Sequence, residues 1–432
     1  MAHSAQDTII SEDQFKQTFA EGAKDFLEFT NLLLEKAPTA WFKRHYSELA
    51  ARAHETETFL DDFGARHNRQ YAQLAELVAC LRGFGRVAVA HKHLISRYPR
   101  YDHGLSPEFT SDFFAEIGRT TEFLDDSILS LTKAIHTELV ALQVTVPTTV
   151  RADETVSEEG AQLALPNDID SEDVVEEDAR IAEVASMYMS VADEFGWAAE
   201  VKADGADELR AMVLQHLDEE RTRHYEAMVH SLQSKYDTYV GGTALERTNP
   251  FLRGLRGHAS IALHLLEMGT ELIHFYVRHE NDVRAEHVKA RVAGLVDKGV
   301  VLDRAILFSV RFSARILLEG KRFAQEALAA FVKADVLELE LPESEVLHAR
   351  PISLIVKIVQ YHGTRVEMRI DEESCSAGSI MEMIMTAGNH PDARRLTFEG
   401  GSRTLEDLRI LFDHRLGEAG IEKLPDALAY LR

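Results

Sequence analysis

A chain of 432 residues, 45% of them hydrophobic, is long enough for about two to four domains with buried cores of their own. Its formal net charge of −25 excludes a basic footprint, and with it nucleic acid or an anionic membrane surface as a partner. Cys80 and Cys375 stand far apart without metal-like spacing, residues 1–10 lack a basic-then-apolar leader, and no apolar run approaches about 20 residues, so the expectation is a cytoplasmic protein without membrane insertion.

The first part of the chain is predicted to be helical. Ser11 with Gln14 three residues on forms a capping box ahead of a helix over 15–37. Further helices are predicted over 41–63, 71–98 and 107–142, the last with Ser106 as N-cap and Pro107 in its first turn. Four long helices predict a bundle at 1–146. Residues 147–178 carry eleven acidic residues against one arginine, with two prolines and no helical period, which predicts an acidic linker.

Helices then resume over 179–197, 207–240, 250–279 and 281–333. Short words recur as well: Arg44-His45-Tyr46 as Arg223-His224-Tyr225 at an offset of 179, and Tyr98 and Arg100 as Tyr276 and Arg278 at an offset of 178. The run Phe123–Leu129 is echoed by Val301–Leu307, again 178 apart. These echoes predict a duplicated helical bundle, its second repeat at 179–334, with the copies packed about a pseudo-twofold axis; the region is also a candidate for homodimerisation.

Chemistry inside the helical region is sparse. Glu267, Glu271 and His274 share a helical face as carboxylate-rich metal bundles require, but the second Glu-x-x-His is missing, so neither metal nor cofactor is expected. His91 and His93 flank Lys92, point in different directions and are read as surface residues. The Arg44-His45 and Arg223-His224 doublets are read as packing or ion-pairing positions rather than an effector site. No phosphate-cradling glycine loop, nucleophile elbow or kinase signature is present.

The last hundred residues change character. Val336 to Leu341 reads as a strand, and 351–363 as an amphipathic helix; Val366, Met368 and Ile370 alternate with charged residues, and Leu396 and Phe398 repeat that alternation. Ser379 is a good N-cap, and Leu405 to Leu416 marks a final helix. The order βαββαβα predicts an α+β open-faced sandwich at 335–432, so the expected fold class is multidomain, mostly α followed by α+β. At its first strand-to-helix junction stands Glu345-Val-Leu-His-Ala-Arg-Pro351. Pro351 suits a first helical turn, whose free amides and dipole attract an anion.

His348-Ala349-Arg350-Pro351, the helix after it and Gly378-Ser379-Ile380-Met381 together resemble HPr, the histidine phosphocarrier of the bacterial phosphoenolpyruvate-dependent sugar phosphotransferase system. The resemblance covers about the last quarter of the chain. It implies that His348 accepts a phosphoryl group, that Arg350 steadies it, that Ser379 takes a second, regulatory phosphate, and that Leu347, Ile380 and Met381 face partners. Enzyme I of that system is the implied donor, and the acceptor is left open. The sequence departs from the family at Val346, where a glycine is usual, at Ile352-Ser353, where small residues are, and at Gly378, where a lysine is common; Glu382 adds a negative charge to the partner-facing helix. Two readings of function follow: a phosphocarrier or phosphorylation-state sensor with a helical regulatory or oligomerisation region, and a non-catalytic regulatory protein in which the HPr-like part is a docking module.

Overall fold

The structure is a computed structural model that describes residues 9–101, 104–149, 177–280, 286–331, 334–341, 347–362 and 366–432. Most of the acidic stretch expected to be a linker lies outside these residues. Its first residues are described, and Asn31 Nδ2 donates to the carbonyls of Pro147 at 2.8 Å and Thr149 at 3.2 Å.

Two rings of helices make up the larger part. The first contains α1 (Glu12–Gly22), α2 (Lys24–Glu35), α3 (Lys43–Asp62), α4 (Ala72–Arg97) and α5 (Pro107–Ala141). The second contains α6 (Glu177–Phe195), α7 (Ala206–Gln215), α8 (Glu219–Tyr239), α9 (Ala244–Thr248), α10 (Pro250–Glu280), α11 (Glu286–Ala293), α12 (Lys298–Asp303), a π-helical turn (Arg304–Val310) and α13 (Arg311–Phe331). Caps set several starts: Ser11 and Gln14 form the expected capping box on α1, and Ser106 Oγ accepts from Phe109 N at 3.1 Å to open α5.

Helices α2, α3, α4 and α5 pack in sequence and close on themselves; α6, α8, α10 and α13 do the same, and α4 packs on α10 across the seam. One apolar core runs through both rings, from Phe15 to Leu328, with Phe84 of α4 edge-on to Phe275 of α10 at 5.1 Å. The repeated words fall on matching helices: Arg44–Tyr46 on α3 and Arg223–Tyr225 on α8, Tyr98 just after α4 and Tyr276 near the end of α10. Contacts across the seam repeat too. Arg86 and His264 are 178 apart, as are His93 and Glu271; Arg86 pairs with Glu271 at 3.3 Å, while the rings of His93 and His264 meet at 4.4 Å. A twofold-like exchange of α4 and α10 produces that pattern.

Four expectations change in this part, the first being the helix expected over 15–37, which is divided at Ala23 between α1 and α2. The helix expected over 207–240 breaks at Leu217, which is buried, because Asp218 caps a new helix by accepting from Arg221 N at 2.8 Å. The helix expected over 281–333 is divided as well, since Asp297 caps α12 through Gly299 N and Val300 N. His91 is buried rather than on the surface, its Nε2 2.9 Å from Thr121 Oγ1, and His93 is half-buried.

A second core belongs to the C-terminal part. Strands β1 (Ala334–Glu340), β2 (Glu367–Ile370), β3 (Glu373–Ser376) and β4 (Arg395–Gly401) alternate with α14 (Ala349–His362), α15 (Ile380–Asn389) and α16 (Ser402–Asp413), in the order βαββαβα read from the sequence. The strands form one antiparallel sheet in the order β1-β4-β2-β3. Met368, Ile370, Leu396 and Phe398 turn inward onto the helices, burying apolar side chains on one face. On the other face Val336 is 64% exposed and Arg369 faces Glu399 at 3.7 Å. The far end of α14 reaches α6, where Ser190 Oγ donates to the Tyr361 carbonyl at 3.5 Å.

Candidate functional site

Helix α14 starts because Pro351 fixes a helical φ without needing a hydrogen bond, and because Ile352, Ile355, Val356 and Val359 bury one face of the turns that follow. His348 is the residue before its first turn, and its carbonyl accepts from Ile352 N at 3.2 Å. The junction thereby lifts the imidazole into solvent, with the side chain 49% exposed. Leu347 beside it packs against the C-terminal core.

Each ring nitrogen faces a neighbour. The backbone N–H of Arg350 points at Nδ1 from 3.4 Å, and Oε1 of Glu418 stands 3.2 Å from Nε2. Arg350 is exposed, and its guanidinium reaches back to the Gly417 carbonyl at 3.5 Å. Both of these partners sit in a tight turn after α16, where Arg415, Leu416 and Gly417 all have positive φ. A side chain at Gly417 would put its Cβ 2.8 Å from Leu354 Cδ1, so glycine is required where the turn crosses α14. Glu418 was not visible from the sequence: it lies 70 positions after His348 and only this turn brings it back.

Ser379 occupies the N-cap of α15, its Oγ accepting from Glu382 N at 3.4 Å. Glu382 in turn accepts from Ser376 N at 3.0 Å, which ties the departure noted in the sequence into the cap itself. The turn ahead of Ser379 meets α14 at Val359, about three turns from His348 along the helix. Ile380 and Met381 are 46% and 69% exposed, and Ile384 and Met385 extend them into an apolar strip along α15. Exposed side chains of that size in a row mark an interaction surface more often than an isolated one does. Val346 lies outside the described residues.

The other candidates are drawn to separate partners. Glu267 meets His264 at 2.8 Å, Glu271 meets Arg86, and His274 meets Glu219 at 2.9 Å; among the described residues no three His, Cys, Asp or Glu side chains stand where they could hold a metal ion. His45 is buried and accepts from Phe42 N at the start of α3, whereas His224 is exposed beside Glu194. The two doublets therefore do different work. No helix among the described residues is long and apolar enough to cross a membrane. Comparison with protein-family models, with curated proteins and with solved structures finds no match.

Proposed function

We propose that residues 334–432 are a phosphocarrier domain of the HPr type, and that His348 accepts a phosphoryl group from enzyme I of the phosphotransferase system. The observation that carries this reading is the junction itself: an exposed imidazole whose Nδ1 faces a backbone amide at a helix start, with a guanidinium two residues on. A neutral imidazole is a good nucleophile toward phosphorus near neutral pH. The transferring group carries its charge on equatorial oxygens, which helix amides and an arginine are suited to stabilise. The strand order β1-β4-β2-β3 with helices on one face adds support from the fold. The strip of Ile380, Met381, Ile384 and Met385 is the surface on which a partner docks, while Leu347 is partly buried beside His348.

The contact between α14 and α6 favours a signalling role alongside transfer, since the helix that begins at His348 ends against the helical region. The experiment is transfer of labelled phosphate from phosphoenolpyruvate through purified enzyme I to the full chain. Label in the wild type and none in His348→Ala is expected; equal label in both overturns the assignment.

A further inference from the structure

We infer that Glu418 is the positioning residue of this site: its carboxylate holds His348 with the proton on Nε2, leaving the lone pair on Nδ1 as the nucleophile. The inference rests on the reading of His348 as phosphoacceptor and adds what selects the reacting atom. A neutral imidazole carries one N–H, and the hydrogen bond at one nitrogen decides which nitrogen it is. Here both neighbours select the same form. The Arg350 amide is a donor facing Nδ1, which therefore must accept, while an ionised carboxylate facing Nε2 can only accept, so that nitrogen must donate.

A second observation singles out the carboxylate. Oε1 of Glu418 is shielded from solvent and has no hydrogen-bond partner, while Nε2 stands 3.2 Å away. An acceptor kept dry is costly, and a small turn of the imidazole supplies the missing N–H. The turn that carries Glu418 is fixed by Gly417 against Leu354 of the same helix that presents His348, so ring and carboxylate are built on one support.

The transfer step balances without a base. The Nδ1 lone pair forms the P–N bond, the bond from phosphorus to the phosphorylated donor protein breaks, and its electron pair leaves with the donor. No proton leaves His348. The product is a phosphoimidazolium whose Nε2–H faces the Glu418 carboxylate, while the Arg350 amide is released from Nδ1 toward a phosphoryl oxygen. Glu418 thus orients the ring before transfer and neutralises its charge afterwards.

The test reads the tautomer of the full chain with ¹⁵N-labelled histidine, at about pH 8 where an ordinary imidazole is neutral, before any donor is added. Wild type is expected to show a protonated Nε2 and an unprotonated Nδ1 at His348. Glu418→Gln, which keeps an acceptor oxygen, should hold that form but accept phosphate roughly tenfold more slowly for want of the charge. Glu418→Ala, left with only the long 3.4 Å contact from the Arg350 amide to keep Nδ1 an acceptor, should show a measurable share of the Nδ1–H form beside the Nε2–H form. A wild-type Nδ1–H form, or a Glu418→Ala spectrum identical to wild type, overturns the inference, and a wild-type Nδ1–H form does so even if a variant fails to fold. If Glu418→Ala leaves both the tautomer and transfer unchanged, the role of Glu418 fails while His348 stands. A wild type whose Nε2–H form is weakened in Glu418→Ala but that takes no phosphate supports the positioning and defeats the phosphoacceptor reading instead.

Discussion

Arg350 carries the sharpest consequence at the scale of single residues. In the proposed transfer its guanidinium is a charge-assisted contact to phosphoryl oxygens, of a kind worth roughly 1.5 to 3 kcal/mol. Arg350→Ala should therefore slow phosphorylation of His348 by about ten- to a few hundredfold, and lysine should restore only part of the rate because it lacks the planar fork. Folding should barely respond: the side chain is exposed and its one described bond, to the Gly417 carbonyl, is long at 3.5 Å. Transfer rates beside thermal melts separate the two roles, and unchanged transfer with a lowered melting temperature would make the arginine structural. The position of His348 and Arg350 at a helix start was legible because an N-terminal proline and a helical period fix where the helix begins. Glu418 was not, since a contact across 70 residues depends on a turn at positive φ that local spacing does not announce.

Element boundaries show the same division. Caps at Ser11, Ser106 and Ser379 were readable because each is a local hydrogen bond between neighbours in sequence. Interior breaks were missed at Asp218 and Asp297, although both are good capping residues, because apolar periodicity runs on through a short turn. The burial of His91 was missed for a related reason: α4 is covered on several sides by α3, α5 and α10, so a polar residue on it has little surface to reach. Burial, with Lys92 adding to it, holds the His91 imidazole down to about 3, and burial likewise brings His93 to about 4. The unfolded chain takes up a proton near the ordinary value of about 6.5 and the folded chain resists it. Stability is thus full above that value and falls as pH drops from 6.5 toward 3, by up to about 1.4 kcal/mol per pH unit for His91. Urea unfolding between about pH 7 and 5, above the carboxylate range, should fall less steeply for His91→Gln than for wild type. Parallel slopes would mean that His91 is protonated in the fold.

For the molecule as a whole, the separation of two cores matters most. Among the described residues the helical core ends at Leu328 and the C-terminal core begins at Leu341, with no buried apolar residue shared between them. Residues 334–432 should accordingly fold alone as one cooperative unit, checked by coincident chemical unfolding in near- and far-ultraviolet circular dichroism. A fragment that remains unfolded would place essential packing on α6. The expected duplication rests on scattered words, which fall on α3 and α8 and at the ends of α4 and α10, and the contacts between α4 and α10 carry the same offset of 178. The C-terminal order βαββαβα was more fully readable, since strand alternation and helical period differ sharply there.

One measurement bears on the central claim most directly: locating the phosphate by electron-transfer fragmentation of the full chain after exposure to enzyme I and phosphoenolpyruvate. The account predicts a single acid-labile phosphate on His348 that is absent from His348→Ala. Phosphate on any other residue, or a chain that takes none from an enzyme I active toward its own carrier, would contradict it.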